Sequence, residues 1–366
     1  MKDLFLLDPE VTFLNHGSFG ATPRPVFERY QAWQRELESE PVDFVARRLP
    51  GLLADARAEL GAYVGAHGDD VTFVQNATTG VNMAARALDL KPGDEILTTD
   101  LEYGACDLAW EWLCARTGGS YVQAEISLPI KRAQDVVDAL FARRTDRTRV
   151  LFVSHVTSAT ALRLPVEEIA ERARAEGLPT IIDGAHAPGQ LTLDLDALGA
   201  DFYSGNCHKW MCAPKGAGFL HVRPEWQDRV DGVITSWGYE EPATFISRTE
   251  RQGTRDAAAY LAVPAAIAFQ TAHNWDEVQR RCRELTVLAR DELCALFGTE
   301  PIAPRDMLLQ MASVRLPRPD PDLDERLWRE HRIEIPVSDD GELLRISIAA
   351  YNDRGDVDRL LGALAA

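Results

Sequence analysis

The sequence predicts an α/β fold with a mostly parallel sheet, and three observations carry that expectation. Between about residues 55 and 225, short β-rich runs alternate with helical patterns, as they do when helices cover both faces of a parallel sheet. Several of those runs are too apolar to face water, which suits strands buried on both faces. A chain of 366 residues, 46% hydrophobic and 26% charged, has the length for one large domain and a smaller one.

Seven strands follow in order. Val71–Gln75 is β-branched and aromatic, and it runs into small, hydroxylated residues. Glu95–Thr99 and Ser120–Ala124 flank a helical pattern, and Val150–Ser154 is almost wholly apolar. Next comes a helix over 166–176, opened by Pro165 with Glu167 and Glu168 in its first turn and closed by Gly177. Pro179–Asp183, Asp201–Ser204 and Gly218–Val222 complete the sheet. After Thr254 the character changes to a long helical stretch over 256–297, a Pro-rich run at 316–321 and a final α+β segment. The expected division is an N-terminal segment over 1–20 packing near the small domain and the active site, a large domain over 21–255 and a small domain over 256–366.

Composition narrows the partners. Lys and Arg total 39 against 57 Asp and Glu, and a formal charge of -18 repels phosphate backbones and anionic lipid alike. No apolar run reaches the roughly 18 residues a membrane span requires, and the first residues meet acid too early for a signal peptide. The expectation is a soluble, cytoplasmic chain with neither nucleic acid nor membrane as partner. Six cysteines without a Cys-x-x-Cys pair signal neither a disulfide framework nor a zinc site, so no metal is expected.

The chemistry gathers at strand ends. Open α/β sheets bind ligands beyond the carboxyl ends of their strands, and Pro179–Asp183 ends there in an acid. The run from Asp201 leads to Lys209 on a loop at the same edge. Taken alone, most lysines are solvated cations. A pyridoxal phosphate enzyme nevertheless needs this pair: a lysine amine for the Schiff base and an acid to hold the pyridinium nitrogen protonated. The third requirement, a phosphate cradle, is met where a strand ends and a helix begins at Asn76-Ala-Thr-Thr-Gly80, although a threonine at a helix start is by itself a plain cap.

Five motifs then appear in order: Leu14-Asn-His-Gly-Ser-Phe-Gly20, Asn76-Ala-Thr-Thr-Gly-Val-Asn82, Asp183-Gly-Ala-His-Ala-Pro-Gly189, Ser204-Gly-Asn-Cys-His-Lys-Trp210 and Ala213-Pro-Lys-Gly-Ala-Gly-Phe219. Together they resemble the class V aminotransferase family, nearest its isopenicillin N epimerase-like branch, which is related to cysteine desulfurases and cysteine lyases. The resemblance covers about residues 5 to 363. It implies fold type I pyridoxal phosphate architecture and a homodimer with shared active sites. It also implies that Lys209 forms the Schiff base, that Asp183 pairs with the ring nitrogen, and that His186 contacts the phenolic oxygen or shapes the ring pocket. Phosphate contacts would come from Ala77, Thr78, Asn206 and His208, and from Thr254 of the neighbouring subunit. Tyr103 matches a residue that stacks on the ring, where many relatives carry His. Thr157 or Ser158 stands where desulfurase-type relatives place an Asn. Arg345 matches the arginine that clamps a substrate carboxylate, and Asn15 and His16 lie in a segment that folds over the site.

The reaction is less sharply drawn. Desulfurases need a mobile thiol near the carboxylate arginine, and residues 316–345 contain no cysteine. Three readings stand: an amino acid epimerase or racemase, a C–S β-lyase, and a non-catalytic aldehyde-binding dimer, with transamination behind them. His155 reads as a packing residue. Trp237 and Tyr239 are the two aromatics to keep as pocket candidates.

Overall fold

The computed structural model describes residues 1–365. A two-residue strand, β1 (Thr12–Phe13), precedes the short helix α1 (His16–Phe19), and the long helices α2 (Arg24–Ser39) and α3 (Leu49–Val64) follow. The main sheet contains β2 (Val71–Val74), β3 (Glu95–Thr99), β4 (Ser120–Ala124), β5 (Thr148–Ser154), β6 (Thr180–Gly184), β7 (Phe202–Asn206) and β8 (Gly218–Val222), in the order β2-β8-β7-β6-β5-β3-β4. Only β8 runs against its neighbours. The seven strands fall where the sequence pattern places them, with ends moved by one or two residues. Every residue of β2, β3, β6, β7 and β8 is buried, so alternation is absent from them.

Helix α4 (Ala77–Arg86) leaves the end of β2, and α5 (Gly104–Thr117) begins shortly after the end of β3. Helix α4 lies close on the sheet because Gly80 has no side chain. A Cβ there would stand 2.1 Å from Ser204 Oγ, and that hydroxyl donates to the Ala77 carbonyl at 3.0 Å. The predicted stretch over 256–297 is three helices, Ala258–Leu261, Val263–Ala272 and Trp275–Phe297. Pro264 sits in the first turn of the second, where its missing N–H costs nothing. Asn274, in the left-handed region at φ 49°, turns the chain into the third.

Beyond it, β9 (Met311–Arg315) pairs antiparallel with β11 (Leu343–Ser347), placing Arg345 opposite Ser313. The two-residue β10 (Ile333–Glu334) pairs in parallel with β1. A bridge joins Asn15 to Ser347, and the Asn352 Nδ2 donates to the Phe13 carbonyl. Lys2 forms ion pairs with Asp353 and Asp356. The first residues of the chain are thus fastened to its last sixty. No helix among the described residues is long and apolar enough to cross a membrane.

Candidate active site

The carboxyl ends of β5, β6 and β7 and the starts of α4 and α5 meet around a cavity of about 210 Å³. Thr78, Tyr103, Ser158, Asp183, His186, Asn206, His208 and Lys209 line it, joined by Ala77. Ser18 and Phe19 of α1 close one side. Nine of the positions singled out in the sequence therefore face one space.

Lys209 is the lysine of this cavity. Burial pulls its ammonium down to about 8, against the opposing pull of Asp183. Its Nζ lies 3.0 Å from His186 Nε2. The other nearby lysine, Lys215, donates to the Gly20 carbonyl at 3.0 Å and lines a neighbouring cavity instead. Asp183 is buried at the end of β6. Its Oδ1 accepts from the Ala185 N–H at 2.9 Å and its Oδ2 from the Cys106 thiol at 3.5 Å. Burial pushes this carboxyl up, and the Ala185 N–H, Lys209 and the thiol pull it back. Among the described residues it has no ion-pair partner.

At the start of α4 the amides are divided. Asn76 accepts from Thr79 N–H at 2.9 Å, and Asn206 Oδ1 accepts from Ala77 N–H at 2.8 Å. Ala77 thus spends its N–H on Asn206 Oδ1, and the Asn206 side-chain amide nitrogen stays a donor in the cavity wall. The Thr78 amide and hydroxyl are the donors left at this helix end, where the backbone dipole favours an anion. His208 donates from Nδ1 to the Ala217 carbonyl at 2.8 Å, which leaves Nε2 as an acceptor. Burial holds its pKa down at about 4, so the ring is neutral.

Arg345 lies behind Ser18 and Ser158. Its Nη1 donates to the Ser158 carbonyl at 2.8 Å, and its Nη2 to Ser18 Oγ at 2.9 Å and to Asn15 Oδ1 at 3.4 Å. Its Nε is buried without an acceptor. Burial lowers its pKa only to about 10, so it stays a cation, and among the described residues no carboxylate pairs with it. A buried cation with an unmet donor and no counter-ion calls for an anionic ligand.

Four sequence expectations are placed elsewhere. Asn15 donates to Glu334 at 3.0 Å and accepts from Arg345, so it orients the arginine rather than facing the cavity. His16 is fully enclosed between Tyr351 Oη at 2.9 Å and the Lys209 carbonyl at 3.0 Å, and burial lowers its pKa to about 3. The Thr157 hydroxyl turns away to Thr160 and the Leu162 N–H, so of the pair left open Ser158 is the one that lines the cavity. Thr254 is exposed on a turn outside its own chain's cavity. His155 bonds Tyr203 at 2.9 Å in the core, as expected. Neither Trp237 nor Tyr239 lines the cavity, and Tyr239 is tied to Asp231 and Gly232.

Sequence reasoning missed a layer beneath the site. Glu102 is fully buried, accepting from the Ser154 N–H and hydroxyl and from the Thr99 hydroxyl at 2.6–2.7 Å. Burial drives its carboxyl up to about 8. Its place next to Tyr103 was visible, but nothing in the sequence said that it points inward.

The class-V aminotransferase family model matches residues 20–360. This chain belongs to that family. It is 41% identical to the isopenicillin N epimerase of Amycolatopsis lactamdurans, over 98% of this chain and 95% of that one. Against the isopenicillin N epimerase of Streptomyces clavuligerus the identity is 39%, over 99% and 96%. Its fold is that of C-DES, solved as a variant with glycine covalently linked to the pyridoxal phosphate cofactor: TM-score 0.87, 23% identity, 98% of this chain and 97% of the other. Pyridoxal phosphate is the cofactor of this enzyme, and the residues fit it. Asp183 is an unpaired buried carboxylate suited to a protonated ring nitrogen, Lys209 is an amine close to neutrality, and α4 offers a helix N-terminus to the phosphate.

Proposed function

We propose that this enzyme epimerises or racemises the α-carbon of an amino acid or of a peptide ending in one, as a homodimer in the cytoplasm. The observation that carries the reading is that Lys209 lines a cavity with no cysteine in its wall, while the unpaired Arg345 is held directly behind that wall by Ser18 and Ser158. Arg345 receives the substrate carboxylate and so fixes the α-carbon relative to the lysine. When bound, pyridoxal phosphate supplies an electron sink for charge developing at that carbon. Asp183 keeps the ring nitrogen charged, and Thr78 with the α4 N-terminus anchors the phosphate. Lys209 Nζ, close to neutrality, takes the α-proton from one face, and a second donor returns one from the other. With no thiol in the cavity there is no group to accept sulfur, which disfavours the desulfurase reaction.

Identity near 40% with two epimerases over almost the whole chain supports inversion over elimination. The dimer is supported by Thr254, which is exposed on a turn away from its own cavity and so free to approach a neighbour's phosphate site. Six cysteines, none in a disulfide, suit a reducing compartment. Proton NMR in heavy water, with a panel of L-amino acids, cysteine S-oxides and aminoadipyl peptides, tests the reaction. The expected result is loss of the α-proton signal with the molecule intact and growth of the D-isomer. Pyruvate with a released thiol or sulfenate would make the enzyme a lyase and overturn the reading.

A further inference from the structure

An indole nitrogen can only donate, and Trp210 Nε1 sits 3.3 Å from His186 Nδ1 inside the protein. Nδ1 must therefore be the bare nitrogen, which puts the proton of a neutral His186 on Nε2. That same Nε2 lies 3.0 Å from Lys209 Nζ. An ammonium there would set N–H against N–H, so the contact closes only when the lysine is an uncharged amine accepting from the ring. We propose that Trp210 is a positioning residue that fixes His186 as the Nε2–H tautomer and thereby favours the uncharged Lys209 amine, the form that captures pyridoxal phosphate.

The surroundings leave the ring little freedom to do otherwise. Gln190 donates to the His186 carbonyl at 2.6 Å, and Gln270 to the Trp210 carbonyl at 3.0 Å. Gly189, at φ +90°, lets the chain pass so close to Trp210 that a Cβ would stand 2.3 Å from its carbonyl carbon. The groups facing His186 are Lys209, Arg345, His16 and His208, all cationic when protonated, and with burial they hold its pKa well below the usual value. Lys209 faces Asp183, the Cys106 thiol and Arg345, so the only anionic pull on it comes from Asp183. Capture joins the lysine nitrogen to the aldehyde carbon and releases the aldehyde oxygen as water with both amine hydrogens, with no change of oxidation state. An ammonium would have to lose a proton before its nitrogen could attack.

This inference rests on the cofactor and not on the reaction proposed above, so a chain that never inverted an α-carbon would still show both signatures below. The first is read on the wild-type, cofactor-free protein labelled with 15N-histidine, with His186→Asn to assign the signals. His186 should show a pyridine-like Nδ1 and a pyrrole-like Nε2 at pH 9.5, above the lysine's midpoint, and the reverse pattern, or a doubly protonated ring, would overturn the proposal. The second is the rate of pyridoxal phosphate capture by cofactor-free protein from pH 6 to 9.5, followed by absorbance. The wild-type midpoint should fall near 8, and in Trp210→Phe it should rise by about one unit, slowing capture at pH 7 roughly tenfold. Coincident profiles for a folded Trp210→Phe would refute the role of Trp210, and the wild-type spectrum decides the matter should that variant fail to fold.

Discussion

Arg345→Ala removes the one buried cation behind the cavity that lacks a counter-ion. A carboxylate held by it takes the place of the Ser158 and Ser18 oxygens on the fork, and its two charge-assisted hydrogen bonds are each worth roughly 1.5–3 kcal/mol. Losing both costs at least about 3 kcal/mol, and because 1.4 kcal/mol is a factor of ten, kcat/KM should fall at least about 100-fold. Most of that loss should sit in KM, since the clamp is made before the α-proton moves. Arg345→Lys restores the charge without the planar fork and should recover only part of it. Because burial leaves the guanidinium pKa at about 10, the loss should be the same at pH 6.5 and pH 8.5. The assay is initial rates of α-proton exchange, with cofactor occupancy read by absorbance and melting temperature recorded alongside. The Ser158 carbonyl and Asn15 Oδ1 lose a donor in the variant, so some destabilisation is expected. The matching amine without its carboxylate is the control, and wild type and variant should handle it alike. A less than threefold change in KM for the amino acid, or an equal loss on the amine, would place the clamp elsewhere.

Two further outcomes follow from the site. Lys209→Ala should leave no lysine that sodium borohydride can label through the cofactor, read by peptide mass; labelling of Lys215 instead would show that the wrong amine has been assigned. Glu102 binds its proton more tightly folded than unfolded, its carboxyl rising from 4.5 to about 8, so the native state holds the extra proton and stability falls as pH climbs through that window. Glu102→Gln should flatten that fall by a few kcal/mol at most, seen as a melting temperature that drops less than wild type between pH 5 and pH 8.5. Parallel curves would mean that the carboxyl titrates normally.

The sheet was legible because its strands are buried on both faces, so Val150–Ser154 or Pro179–Asp183 stands out as an apolar run. Their spatial order was not legible, since it depends on crossovers that leave no local mark. The pairing of Thr12 with Ile333 has no sequence signal at all, because neither residue announces a partner so far along the chain. Lys209, Asp183 and Arg345 were readable from motifs, each being a residue type that its chemistry demands. Asn15, His16 and Thr157 were readable as belonging to the neighbourhood and not as facing the cavity. Which side of a short segment turns inward is decided by packing, as when Tyr351 and the Lys209 carbonyl take both nitrogens of His16. The helix break at Asn274 shows the same limit, because one left-handed residue ended a pattern that otherwise continued.

The fastening of the N-terminal segment to the C-terminal strands has a consequence for biosynthesis. The central sheet can form on the ribosome once its last strand, ending at Val222, has emerged, but α1 has no seat until β10, β11 and Asn352 have followed. A nascent chain therefore carries its lysine loop and helix cradle with one wall open, and Arg345 itself is made only after the whole central sheet. Closure of contacts spanning more than three hundred residues is slow relative to local helix formation, so the cofactor has access to Lys209 before α1 shuts over it. A chain cut before β11 would keep the amine-bearing half of the site nearly whole while losing Arg345, the enzyme's grip on substrate.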